Sequence, residues 1–253
     1  MGSSDAYRDS VDRFSDRAAD YVQYRPGYPP EAITCLLHDL EPPARLVVAD
    51  VGAGTGISSR LIADRGPRVI AVEPGEGMRN AAHSHPRVQW IAARAEQLAL
   101  TAGVAHIVLC AQSFHWFDPA RVLPEFARVL RSGGRLALLW NRRSTTDPYT
   151  VGYRQAILDV GGEIAAERMP FDPDVVPASG LFTEVERFVF PNAQHLDLDG
   201  LIGRARSASY VPKSGKTGDR LLRLLEELHA RYAGTDGVAT LVYETEVFLA
   251  RPR

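Results

Sequence analysis

The stretch DVGAGTG, Asp50–Gly56, flanked by RLVVADV on one side and ISSRLIADR on the other, decides the fold. Arg45–Val51 is a short β-branched run of strand character. A helix pattern follows from Ile57 to about Arg65, where Gly66-Pro67 stops it. Working outward, RVIAVEP reads as a second strand, Gly75 to about His83 as a second helix, and RVQWIA as a third strand. AHIVLCA, Ala105–Ala111, is a fourth strand, with a helix from Pro119 to Leu130 behind it. Gly133-Gly134 then turns the chain into a fifth, RLALLWN. Strands and helices alternating in this way imply βαβ units and a doubly wound, mostly parallel α/β sheet, with ligand at the carboxyl ends of its strands.

Beyond Asn141 the rhythm changes. Ser144 to about Gly180 is rich in Pro, Gly and acidic residues and carries one helix pattern, Tyr149 to Val160. FTEVERFVF, Phe182–Phe190, alternates like a strand. Leu198 to about Tyr232 is helical, broken by VPKSGKTG, Val211–Gly218, and VATLVYETEVFLA, Val238–Ala250, is a closing β-branched run. The expected organisation is one domain over 1–253. It comprises an N-terminal lid segment 1–44, a cofactor-binding core 45–143, a substrate-side insertion 144–237 with the sixth strand, and a final strand 238–253.

Composition removes several function classes. A net charge of -2 on 253 residues offers no global attraction to nucleic acid or to an anionic membrane. The local pairs Arg142-Arg143 and Arg204/Arg206 read as solvated faces. No apolar run approaches a membrane span, and the polar N-terminus lacks the apolar region of a secretory signal, so a cytoplasmic protein is expected. The two cysteines, Cys35 and Cys110, lie far apart in apolar settings, which argues against a disulfide framework or a thiolate metal site. His83 and His85 in HSHP have no clustered carboxylates or cysteines beside them, so no metal is expected.

Gly52, Gly54 and Gly56 allow positive φ and leave room for a ligand against the backbone, and the helix that follows presents unsatisfied N–H groups. Glu73 ends the second strand, ~20 residues on, where a carboxylate accepts both hydroxyls of a ribose. The dinucleotide fingerprint G-x-G-x-x-G requires glycine where this chain has Ile57, and no tyrosine is followed by Lys at the Tyr-x-x-x-Lys spacing of a proton donor. Asp50 at the strand end would repel a pyrophosphate and suit an ammonium. The loop therefore favours S-adenosylmethionine over NAD.

At this point a family resemblance is plain. Val47 to Arg142 resembles the catalytic domain of class I methyltransferases, in particular the type 11 group. VVADVGAGTG is similar to its first motif, AVEPGEGM to its second, and LRSGGRLALLW to its post-site strand. AQSFHWFD, Ala111–Asp118, resembles trans-aconitate methyltransferase-like proteins. So does the spacing of Phe14, Ala18 and Tyr21 before YRPGYP, and so does SASYVP through VYETEVFLAR. The resemblance implies a Rossmann-like seven-stranded sheet with its last strand antiparallel and a helical lid from the N-terminal and post-strand-five segments. It places Asp50, Gly52, Gly54 and Gly56 at the methionine end of S-adenosylmethionine, Glu73 on the ribose, and Pro74 and Met78 beside the adenine. Ala95 and Glu96 fall beside the adenine ring, Ala111 and Gln112 border the sulfonium, and Tyr21 and Arg25 come from the N-terminal segment, Arg25 toward the cofactor carboxylate. Arg94 stands where many relatives carry Asp, and His106 where an Asp commonly opens the fourth strand, which reads as a surface change.

Methyl transfer from a sulfonium needs alignment above all, worth roughly 7–11 kcal/mol. A base is required only if the acceptor arrives protonated. His115, just past the fourth strand, is the best candidate for a catalytic base, while aromatic packing as a pocket wall is the favoured reading of the ring. Trp116, Trp140, Asn141 and Arg142 are the other candidate substrate residues, Arg142 for an acidic group. The expected reaction is methylation of a small molecule, on oxygen first, with carbon or nitrogen as alternatives. A non-catalytic S-adenosylmethionine-binding protein and an NAD-dependent oxidoreductase are the competing readings.

Overall fold

The computed structural model describes residues 23–161, 172–208, 211 and 214–253, so Tyr21 and the expected N-terminal helix lie outside the described residues. Seven strands form one sheet in the order β3-β2-β1-β4-β5-β7-β6: β1 Val47–Val51, β2 Arg68–Val72, β3 Val88–Ile91, β4 Ala105–Ala111, β5 Leu130–Arg143, β6 Glu186–Leu196 and β7 Ala239–Ala250. β1 to β5 pair in parallel, and β7 runs antiparallel to both its neighbours. The order reverses between β1 and β4, which sets the loops after these strands side by side at the carboxyl edge.

Alternation along the strands explains the layers. Val48, Val69, Ile107, Leu109, Ala137 and Leu139 face α1 (Pro30–Leu37) and α2 (Ile57–Ala63), whose Ala32, Ile33, Leu36 and Ile62 complete one core. Ala49, Val51, Ile70, Val108, Cys110, Leu136 and Leu138 point the other way, against Val122, Leu123, Phe126 and Val129 of α4 (Pro119–Val129). Between the two lies α3 in sequence, a short helix over Glu76–Asn80. A third cluster stands apart from both. It joins α5 (Pro148–Gly161), α7 (Leu198–Arg206) and α8 (Gly215–Tyr232) to Leu196 and the start of β7, with Tyr153, Leu201, Leu225 and Leu241 at its centre. The hydroxyl of Tyr149 and Nδ1 of His229 meet at 2.9 Å, locking α5 to α8. The remaining helix, α6, is a single turn at Val175–Ala178.

Several expectations are corrected. The fifth strand begins at Leu130, because Leu130 pairs with Ala105 before the chain loops out through Arg131–Gly134 and resumes with Arg135 opposite Ile107. The sixth is displaced from Phe182–Phe190 to Glu186–Leu196. Phe182 is fully buried in an isolated bridge with Pro252, while Pro191 is accommodated because β6 is an edge strand. His106 is not a surface change: it is 6% exposed, and Nδ1 accepts from the Val47 amide at 3.0 Å. Arg204 is likewise no solvated charge, being 3% exposed. Cys35 and Cys110 are both free thiols, and among the described residues no helix is long and apolar enough to cross a membrane.

Phe126 is fully buried between α4 and the sheet. Phe126→Ala is expected to lower the unfolding free energy by about 3–5 kcal/mol, measured by urea denaturation, since the cavity cannot collapse against a strand layer.

Candidate active site

The glycine loop is fastened before any ligand is considered. The amides of Gly52 and Ala53 donate to the carbonyl of Val72, at 2.9 and 3.2 Å, and that of Gly56 to Ala53. Gly54 N donates to Oε2 of Glu73 at 3.0 Å. Four loop amides are thus engaged within the protein, so the loop is not a cradle for a pyrophosphate, which would need them. All three glycines have positive φ, 69°, 57° and 76°. They serve different ends. A Cβ on Gly52 would strike that of Ser113 at 2.7 Å, and one on Gly56 the Trp90 indole at 2.9 Å, whereas one on Gly54 would meet nothing within 4 Å. Open space against the backbone is at Gly54.

Two carboxylates shape the charge of this loop. Asp50 is fully buried, and its Oδ2 accepts from the hydroxyls of Ser58 and Ser59, at 2.7 and 2.6 Å, while Oδ1 is buried without a hydrogen-bond partner. Glu73 is 9% exposed, its Oε1 taking the Gly75 amide at 2.8 Å, and each of its oxygens keeps a lone pair beyond these bonds. Burial pushes both carboxyls above their ordinary range, against the pull of the Ser59 and Ser58 hydroxyls on Asp50 and of the Gly75 and Gly54 amides on Glu73. The charge of Asp50 adds to the rise at Glu73. Such a pair suits a cationic, phosphate-free ligand: an ammonium beside Oδ1 of Asp50 satisfies the orphaned acceptor and offsets its desolvation. The residues present fit S-adenosylmethionine on this test.

The adenine side is less simple. Met78 is 5% exposed and Pro74 half-buried, and the carbonyls of Glu73 and Pro74 both accept from Arg79 Nη1. Ala95 turns its methyl into the core beneath α4, whereas Oε2 of Glu96 is buried without a hydrogen-bond partner. Arg94 is exposed, in a bridge with Gln97.

At the end of β4, Ala111 is followed by Gln112 in the left-handed region, φ 58°, its amide held by Leu139 O. Ser113 donates to Val51 O at 2.7 Å and so joins the two loops of the switch point. His115 lies 4.5 Å from Trp116 and 5.1 Å from Trp140, ring centre to ring centre, and its Nδ1 is buried without a partner. Burial alone pulls its pKa down to about 4, so the ring is neutral near pH 7.

Two expected substrate residues are otherwise engaged. Arg142 is ion-paired with the buried Glu246, which Arg187 also holds. Asn141 donates to Gly27 O at 2.9 Å and accepts from Thr245 and Asn192. Arg25 reaches Ser207 O at 3.2 Å, on the side of the third cluster. Ser58, Ser59 and Ser113 lie outside the residues the sequence marks as candidates, though ISSR directly after the loop is a signal for hydroxyls near Asp50.

In sequence and in fold the chain is similar to known methyltransferases. A family model described as a methyltransferase domain matches residues 49–138. An uncharacterized methyltransferase of Mycobacterium tuberculosis is 36% identical over 238 residues, 92% of this chain and 93% of its own. A malonyl-[acyl-carrier protein] O-methyltransferase of Geobacter sulfurreducens is 29% identical, covering 91% and 94% respectively. Among solved structures, a protein described as a type II methyltransferase from Anaeromyxobacter dehalogenans superposes with a TM-score of 0.69 at 26% identity, over 90% of this chain and 97% of its own. The chain belongs to the class I S-adenosylmethionine-dependent methyltransferases.

Asp50 also yields a stability test. Its native pKa lies above the unfolded value, about 3.9. The native state therefore retains a proton that the unfolded chain has lost, and stability declines as pH rises from that value through the native one. Asp50→Asn is expected to match wild type at low pH and to exceed it at pH 7, read from urea midpoints; lower stability at pH 7 would contradict the burial argument.

Proposed function

We propose that this methyltransferase forms a methyl ester on a carboxylate of a small-molecule acceptor. The observation that carries this reading is the neutral, weakly basic His115. A general base works best with a pKa near the working pH, and a ring pulled down to about 4 is a poor acceptor of protons. The favoured acceptor is then one already nucleophilic at pH 7, and a carboxylate, with an ordinary pKa of about 4, needs no deprotonation. The O-methyltransferase name of the Geobacter sulfurreducens relative supports oxygen as the atom methylated.

When bound, S-adenosylmethionine supplies a methyl group already activated on a sulfonium. Asp50 would receive its ammonium, Gly54 would leave room beside the backbone, and Glu73 would take the ribose hydroxyls. Ala111 and Gln112 would border the sulfonium, with Pro74, Met78 and Glu96 on the adenine side. His115, Trp116 and Trp140 form a ring wall that excludes water and orients the acceptor. Acceptor choice falls to residues 144–237 and to the segment ahead of residue 45. Two free thiols are in keeping with a cytoplasmic site of action.

The test is methyl transfer from labelled donor to a panel of carboxylic acids, alcohols and amines between about pH 5.5 and 8.5. Base-labile esters are expected, with kcat flat across this range and His115→Phe retaining activity within about tenfold. Label on alcohols or amines instead, or kcat that rises with pH and drops more than a hundredfold in His115→Phe, would make His115 a base and overturn the reading.

A further inference from the structure

Residues Tyr24–Tyr28 cross from the cofactor half of the molecule to the third cluster. A Cβ on Gly27 would stand 3.8 Å from Leu61 of α2, the helix that follows the glycine loop, and Tyr28 packs in the same core as α1 and α2. At the other end, the Tyr24 ring lies so close over Gly203 of α7 that a Cβ there would fall 2.3 Å from it. Arg25 reaches Ser207 O just beyond that helix.

Side chains from the strands hold the carbonyls of this strap. Gly27 O accepts from Nδ2 of Asn141 at 2.9 Å and from Nδ2 of Asn192 at 3.1 Å, and Tyr24 O accepts from Gln194 at 2.8 Å. Asn141 is where the connections meet. Its Oδ1 takes the Thr245 hydroxyl at 2.5 Å and the Asn192 amide at 3.1 Å, which orients Nδ2 toward Gly27. Its main-chain carbonyl takes Nε2 of Gln112 at 3.4 Å. Gln112 is the left-handed residue at the end of β4, beside the two loops of the switch point. Side-chain bonds of this kind release without unzipping any strand, so the strap can part from the sheet while the sheet stays intact.

We infer that Asn141, with Asn192 as its second hand, is a positioning residue: a latch that clasps the strap across the carboxyl edge and couples its closure to Gln112 and to retention of the cofactor. Its coupling to the cofactor rests on the methyltransferase reading; the latch itself does not. The amide of Asn141 is committed to Gly27, Thr245 and Asn192, which leaves the acceptor to the ring wall.

Two variants separate the latch from general stability. Asn141→Asp keeps the shape and sets a carboxylate oxygen against Gly27 O, and Asn192→Ala removes one donor on the edge strand. Hydrogen exchange of the strap amides in the ligand-free protein is expected to accelerate about tenfold or more in both, with cooperative unfolding retained. S-adenosylhomocysteine, titrated calorimetrically, is expected to bind about tenfold more weakly, and KM for the methyl donor to rise while kcat holds. Unchanged strap exchange in the folded variants would overturn the latch, as would faster exchange spread evenly over the whole sheet. Faster strap exchange with unaltered S-adenosylhomocysteine affinity would overturn the coupling. If the wild type itself binds no S-adenosylhomocysteine, the cofactor reading fails, and strap exchange alone decides the latch.

Discussion

The carboxylate of Glu73 is bonded to two glycine amides at once, Gly54 in the loop after β1 and Gly75 in the loop after β2. That bridge makes one surface out of two chain segments, and the sheet order then presents the surface at the switch point. Asp50 is buried behind it with an acceptor atom unsatisfied. A protein interior tolerates two neighbouring carboxylates only at a cost, and a cation removes that cost. That charge would suit an ammonium or a sulfonium, and the amides of Gly52, Ala53, Gly54 and Gly56 are already occupied within the protein.

The cofactor half was largely legible in the sequence because its features are local. A β-branched run, a glycine turn and a helix pattern fall within one βαβ unit, and the period of each is visible in a short window. Glu73 is readable for the same reason, being the residue that directly follows its strand. What local reading missed lies across the sheet. Nothing near His106 announces that Val47, 59 positions away in sequence, supplies its amide. In sequence Arg142 reads either as a hand for an acidic substrate or as a solvated charge, yet its partner Glu246 arrives from β7, 104 positions on. Asn141 belongs to the same class: its three bonds come from the strap, β6 and β7. The sixth strand runs past Phe190 through Pro191, which an edge strand tolerates, and its edge position is set by pairing with β7 that no short window of sequence displays.

The ring cluster past β4 is built on other terms. His115, Trp116 and Trp140 form a wall of rings in which the one ionisable group is kept neutral by its surroundings. Catalysis by alignment places its demands on rigidity rather than on proton transfer. Ser113 contributes to that rigidity, tying the β4 loop to Val51, while Gly52 lets the two loops come that close.

The three apolar clusters have no residue in common, and the third is assembled almost wholly from α5, α7, α8 and the first half of β7. Substitutions in separately packed regions tend to add rather than interfere. The helices of the third cluster can therefore be revised with little effect on the packing around the glycine loop, except where Gly203 receives the Tyr24 ring of the strap. A change of side chain inside one cluster is thus absorbed where it occurs, and the border between the two regimes is the seam where α5, α7 and α8 meet β7.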